Sequence, residues 1–356
     1  MNSVSANSST SVSTGWLMLL LQFWVRHTAS LLNLVPVVAL VAGYHPQHWA
    51  LHVGLILLAS YCLFNLTSMF HETAHQTMPG FPRAVVILIG HVIATVLLVP
   101  YDVYRQSHIR HHAYLNRPDD WELWPYSDPK TSLRFRKIFV WLDLLFGFLT
   151  APYTYGRIYF HRDSPIRDPK LRFRIRMEYL VIALFWGTIL TLVTINGSWS
   201  AFLLRWGIPH WLAGILQNGR KMTEHLGMSS FDPLKGTRTV AGGNFYSRLC
   251  SWLNYDIFVH GPHHRFPLLT HEKLELRLRQ YVEGHPERLY PVYGSYLQAF
   301  CAMAPCLFSN PGVGLNAGAA VLSRVSDINV NEFLDDEKQI VIGDWDPDQG
   351  VTPQAV

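Results

Sequence analysis

The sequence predicts an all-α integral membrane protein. It would have four transmembrane helices, further helices lying in the membrane interface, and a cytoplasmic cap carrying a histidine-rich site. Three observations predict this. The 356-residue chain is 49% hydrophobic but only 15% charged, whereas soluble domains carry about 25% charged residues. Residues 49–70 hold no charged side chain, and as a helix they would reach about 33 Å, enough to cross a bilayer core. Half of the eighteen histidines fall in tight clusters or beside them, next to or just beyond such apolar runs.

Taken in order, the Ser/Thr/Asn-rich residues 1–14 lack a basic segment and read as a disordered tail, not a cleaved signal. Residues 15–325 read as one membrane domain without internal repeats, and 326–356 as an acidic tail. Spans are expected at 28–45, 49–70, 179–196 and 199–217, the last weakened by Arg205 and Pro209. The run 84–100 is at the short end of the spanning range and is diluted by Gly90 and His91, so it is expected in the interface or as a re-entrant turn. Residues 138–155, which carry Asp143 and are broken by Pro152, are read the same way. A helix over Tyr296–Phe308 should pack on the cap.

Charge orients the chain. Net charge is +4, and fifteen of the twenty-nine Lys and Arg lie between residues 76 and 177. The connectors Gly43–His48 and Asn196–Ser200 have none. The positive-inside rule then puts the large loop and the C-terminal half in the cytoplasm. This basic stripe lies between spans and near Trp121 and Trp124, so it suits anionic headgroups and not nucleic acid. Cys62, Cys250, Cys301 and Cys306 have no metal-site spacing and read as unpaired thiols.

The histidine clusters are His71-Glu-Thr-Ala-His75, His108-Ile-Arg-His111-His112, His225 after Glu224, and His260-Gly-Pro-His263-His264. At this histidine frequency an HxxHH pattern should arise about 0.05 times per chain, so two are on the order of a one-in-a-thousand event. On a helix, positions i, i+3 and i+4 share a face, so each cluster can aim its imidazoles at one point. Neutral imidazole is the commonest side-chain metal ligand, and nine are too many for one ion. Two ions are implied. The clusters can meet only if 84–100 does not cross the membrane, since a crossing would put the first two on opposite faces.

Other readings of the same residues are weaker. His71-Glu72-x-x-His75 fits an intramembrane zinc protease with Glu72 as base, but that short pattern is common by accident and leaves both HxxHH clusters unexplained. A metal transporter would place carboxylates within its spans, and the four expected spans contain none. His27, His45, His48, His52, His91, His161, His210, His271 and His285 occur singly and read as packed or interfacial rings.

The chain resembles the membrane fatty acid desaturase superfamily, with its three histidine boxes HxxxH, HxxHH and HxxHH. Leu98-Val99-Pro100-Tyr101 leading into Ser107-His108, the run Asn116-Arg-Pro-Asp119-Asp120, and Arg220 through Glu224-His225 followed by Thr237-Arg238-Thr239 are similar to segments of that superfamily. The likeness covers roughly residues 45–290. It implies a cytoplasmic di-iron site held by His71, His75, His108, His111, His112, His225, His260, His263 and His264. It also implies O2 as co-substrate and a lipid or fatty acyl substrate. Electrons would come from a separate carrier, a ferredoxin, a cytochrome b5-like protein or a flavoprotein reductase, because no haem-binding HPGG or cysteine-rich iron–sulfur pattern occurs. Acyl-lipid desaturation is the expected outcome, with a lipid, alkane or carotenoid-type hydroxylase or ketolase as the alternative. Glu72, Asp119, Asp120 and Glu224 are candidates to orient ligand rings. The chain departs from the pattern at Lys221, where some relatives place an asparagine that reaches iron through water. Asn254 is the candidate substitute.

Overall fold

The computed structural model describes residues 34–319 except 45–46, 77, 79–80, 268, 270–272, 285 and 287–288. The expected tails, 1–14 and 326–356, and the first part of the expected span 28–45 lie outside the described residues. The described chain is mostly helical, with two helices long and apolar enough to cross a membrane and two bent helix pairs that are apolar enough if each is taken as one broken span.

α1 (Val35–Val41) begins with proline in its first turn, where the missing N–H costs nothing. α2 (Trp49–His75) is a single 27-residue helix, about 40 Å long. From Trp49 to Leu58 most of its apolar side chains are exposed, and from Ala59 to His75 nearly all are buried. One uninterrupted helix thus runs from an apolar face suited to lipid into protein-packed surroundings, carrying His71 and His75 on its last turns. Gln76 ends it in the left-handed conformation.

The run expected in the interface or as a re-entrant turn forms α3 (Arg83–Leu97), which turns through 102° into α4 (Tyr101–Ala113). The corner is Leu98, with positive φ, followed by Pro100 as the N-cap of α4. Proline disfavours helical geometry in the residue before it, so the sequence stops α3 there. α4 then lies against α2 with the second cluster beside the first.

α5 (Leu133–Leu145) and α6 (Gly147–Phe160) meet at 120°. The expected break at Pro152 is corrected: Pro152 lies within α6, and the corner falls at Phe146–Gly147. Buried Asp143 holds that corner, accepting from Tyr126 Oη (3.1 Å), Thr150 Oγ1 (2.6 Å), Asn218 Nδ2 (2.9 Å) and Lys221 Nζ (3.0 Å). The Asn218 amide occupies the space a Cβ on Gly147 would need.

α7 (Pro169–Ile195) is the second long apolar helix, N-capped by Asp168, and it buries only Leu171, Ile175 and Ile182. The interruption expected at Arg205 and Pro209 appears as a π-helical turn, Leu203–Gly207, between α8 (Trp199–Phe202) and α9 (Ile208–His225). α9 packs along α2. Beyond it come α10 (Pro233–Gly236), α11 (Phe245–Leu253), α12 (His260–Arg265), α13 (Leu274–Gly284) and α14 (Tyr296–Phe308). Two short strands, β1 (Thr239–Val240) and β2 (Val292–Tyr293), pair in parallel. α14 has the expected bounds and packs against α9 and α5, with Met303 and Leu307 joining Met222 and Phe139 in one apolar cluster.

Candidate metal centre

All nine clustered histidines converge, and all are buried. His71 and His75 come from the end of α2, and His108, His111 and His112 from α4. His225 ends α9, while His260, His263 and His264 form the short α12. α12 is placed by its neighbours: Thr239 Oγ1 accepts from the Gly261 N–H, and the Gly261 Cα faces Thr237 and Thr239 so closely that a Cβ would meet both hydroxyls.

The rings fall into two neighbouring groups. His71, His75, His108, His112 and His263 form one. His111, His225, His260 and His264 form the other, linked through His225 and through His260 to His264. Within the groups, Nε2–Nε2 separations are 2.9 Å for His75–His108, 3.2 Å for His108–His112 and His112–His263, 2.8 Å for His225–His260, and 3.1 Å for His260–His264.

These separations test whether metal fits. His108 Nδ1 lies 3.2 Å from the Glu122 carboxylate, and His260 Nδ1 lies 3.3 Å from the Ile257 carbonyl. Both partners only accept, so each ring carries its proton on Nδ1 and presents a bare lone pair at Nε2. Each of those lone pairs faces two further ring nitrogens. A ring N–H aimed at such a lone pair would satisfy one contact only, whereas an ion between the nitrogens takes a lone pair from each. Two nitrogens each ~2.1 Å from one ion stand about 2.9–3.4 Å apart at octahedral or tetrahedral angles. The donor set fits an ion in each group.

Electrostatics favour the ligating form. Burial, reinforced by Arg220 and by neighbouring rings, pushes His260 well below the ordinary imidazole range, and burial with ring–ring repulsion does the same for His263 and His264.

The acidic candidates separate. Asp120 is fully buried, with Oδ2 2.8 Å from His111 Nδ1. Asp119, its neighbour, is two-thirds exposed and lies 3.9 Å from Arg110, so its expected role at a ring does not hold. Glu72 Oε1 lies 3.4 Å from His71 Nδ1. Glu224 was expected behind a ligand ring but stands among the ring nitrogens, with Oε2 3.6 Å from His260 Nε2 and Oε1 3.3 Å from Arg220. Asn254, the candidate for contact with iron through water, hydrogen-bonds to Ser68, Tyr61 and the Cys250 carbonyl. Glu122 was missed: it meets His108 Nδ1 and accepts from the Tyr155 hydroxyl at 3.0 Å. Its signal was its place two residues after Asp120.

A cavity leads from the rings along α9 as far as His210, walled opposite by Leu63, Phe70, Val99 and Phe148. Of the single histidines, His91 pairs with Glu178 at 3.4 Å, and His161 sits beside Asp163. His27, His45, His271 and His285 lie outside the described residues.

A buried set of histidines from these three boxes, on helices running into an apolar bundle, points to one family. Residues 47–297 match the model of the fatty acid desaturase family. The chain belongs to that family. It is 28% identical over 253 residues to the omega-3 fatty acid desaturase, chloroplastic, of Ricinus communis, covering 64% of this chain and 50% of that one. The temperature-sensitive sn-2 acyl-lipid omega-3 desaturase (ferredoxin), chloroplastic, of Arabidopsis thaliana is 26% identical over 72% of this chain and 60% of its own. The delta(12) fatty acid dehydrogenase of Crepis alpina is 25% identical over 56% and 59%. This desaturase-family chain therefore spans between half and two-thirds of the length of these curated relatives.

Proposed function

We propose that this chain is a membrane-bound di-iron oxidoreductase that introduces a C=C bond into a lipid acyl chain, using O2 and electrons from a separate carrier. The observation that carries the reading is the meeting of nine buried imidazoles, from chain stretches up to 193 residues apart, in two groups at ligand spacing. His71, His75, His108, His112 and His263 would hold one iron, and His111, His225, His260 and His264 the other, with Glu224 an added oxygen donor beside His225 and His260. Iron at these positions would supply the O2 activation and C–H abstraction that no side chain can perform.

The chain's own residues do the rest. Asp120 and Glu122 accept from Nδ1–H of His111 and His108, fixing the tautomer and turning Nε2 inward. Burial excludes water and holds the His260, His263 and His264 rings neutral. The cavity beside α9 brings an extended chain alongside His71, His108 and His225. His71 and His75 share their site with seven more rings, more donors than a single-ion hydrolytic centre uses, which favours iron redox chemistry over the protease reading.

In the proposed topology the expected span 28–45, α2, α7 and the α8–α9 helix cross the bilayer, and the two bent pairs return to the side they left. All nine histidines then face the cytoplasm, where a soluble carrier can reach them. A ferredoxin-type donor is favoured by the name of the Arabidopsis relative.

The test is expression in cells of defined lipid composition. New double bonds are expected, together with about two irons per purified chain. New hydroxyls would move the reading to the hydroxylase branch. Unchanged lipids with one zinc per chain would refute it.

A further inference from the structure

A second cavity, about 430 Å³ in volume, shares no lining residue with the cavity at the rings. Its size falls within the range of about 300–1,000 Å³ usual for small-molecule sites. It is lined by α11, the turn that follows it, the end of β1 and the start of α13.

Its level in the bilayer can be read from α2. Asn254, the C-cap of α11, bonds to Ser68. Ser68 stands nineteen residues beyond Trp49, about 28 Å along the helix, and a hydrocarbon core is about 30 Å thick. With α2 crossing as proposed above, α11 lies where acyl chains give way to headgroups. Its first residues, Phe245 and Tyr246, are 71% and 76% exposed, and Leu249 one turn on is exposed as well. Cys250 packs inward beside Tyr61. Exposed aromatic residues beside a packed face are what an interfacial helix presents to lipid.

The charged groups of this cavity suit a ligand that carries both signs. Arg248 donates from Nε to the Gly243 carbonyl at 3.3 Å and pairs with no carboxylate among the described residues. Asp256 accepts from Ser251 Oγ at 3.0 Å. Glu275 is already neutralised by Arg279. The Arg248 guanidinium offers a fork for a phosphate. Asp256 offers a negative charge, and Trp252 an aromatic wall, for an ammonium group. A headgroup with a phosphate alone would set a like charge against Asp256.

We propose that this cavity holds the headgroup of a zwitterionic phospholipid, its phosphate on Arg248 and its ammonium at Asp256, with the acyl chains passing Phe245 and Leu249 into the bilayer. This lipid is a resident of the protein and not the chain oxidised at the rings, so the inference does not depend on the substrate reading.

The experiment titrates the purified full chain, in a neutral maltoside detergent, with dihexanoyl phosphatidylcholine and dihexanoyl phosphatidylglycerol by calorimetry. Phosphatidylcholine should bind about tenfold more tightly, the scale of one hydrogen bond to a charged group. Arg248→Gln should weaken both lipids. Asp256→Asn should weaken phosphatidylcholine alone, and asparagine tolerates the positive φ of that position. Equal binding of the two lipids, or a preference that both variants keep, overturns the site. An excess of octadecanoate should leave phosphatidylcholine binding unchanged; displacement would put the lipid in the cavity at the rings and overturn a second site. Phosphocholine by itself should bind more weakly, and equal affinity would overturn the lipid as occupant. Fractionation of the parent chain with membranes checks the α2 crossing separately: a soluble chain overturns the crossing and this site with it, whereas the other results overturn the site alone.

Discussion

Replacing Asp120 by Asn tests the reasoning about the site most sharply, because the sequence supplies its own control in Asp119. Asp120 Oδ2 lies 2.8 Å from His111 Nδ1, and Oδ1 lies 3.3 Å from the Leu123 N–H. The substitution keeps shape and removes charge. A hydrogen bond to a charged acceptor contributes ~1.5–3 kcal/mol and a neutral one ~0.5–1.5. The loss should therefore be about 1–1.5 kcal/mol, close to tenfold in iron affinity. If the amide turns its NH2 toward His111, the ring must move its proton to Nε2 and stops being a donor to metal. The loss then approaches the upper end of the 10–100-fold range seen when such partners of metal ligands are removed. Asp119→Asn, at an exposed position 3.9 Å from Arg110, should change iron affinity by less than about twofold. Iron retained per chain during titration with a chelator measures both. The reasoning fails if Asp120→Asn holds iron as tightly as the parent protein, or if Asp119→Asn loses it equally.

Three further outcomes are expected. His263→Ala should remove one of five donors of the first group and leave clearly fewer than two irons per chain, read by elemental analysis, while the protein still inserts into membranes. The metal-free protein should lose stability as pH falls below 6.5, the ordinary imidazole value. Burial depresses the pKa values of His260, His263 and His264, so at these rings the unfolded state binds more protons, and the stability present above 6.5 drains away in acid; a melting temperature flat from pH 7 to ~5 contradicts this. Lys221→Met should destabilise by about 1–2 kcal/mol, because it strips the cation from buried Asp143 at a position about a quarter exposed. Adding Asp143→Asn should recover part of that loss in a double-mutant cycle, and additive losses would show that the pair is not coupled.

The histidine spacing could be read directly because a helix converts i, i+3, i+4 into one face without help from the rest of the fold. The apolar helix over 49–70 and the helix Tyr296–Phe308 were legible for the same reason, since each is a local pattern of apolarity. The corner after α3 was signalled by Leu98-Val99-Pro100, because proline acts on its immediate neighbour. The corner between α5 and α6 was misplaced to Pro152: its cause is Asn218 and Lys221 from α9 closing on Asp143, and such contacts leave no mark at Phe146.

What the sequence alone determined is therefore a composition suited to a bilayer, the residue types able to hold metal, and the family they indicate. Tertiary structure decided which of two adjacent aspartates serves the site. Asp119 and Asp120 are chemically identical, and burial, which arises from packing distant segments together, is what makes one of them an acceptor for His111 and leaves the other in solvent. It likewise recruited Glu122, sent Asn254 to Ser68, and divided nine equivalent rings into two groups. A ring nitrogen's partner is fixed by distances of about 3 Å, and only the packed chain sets those.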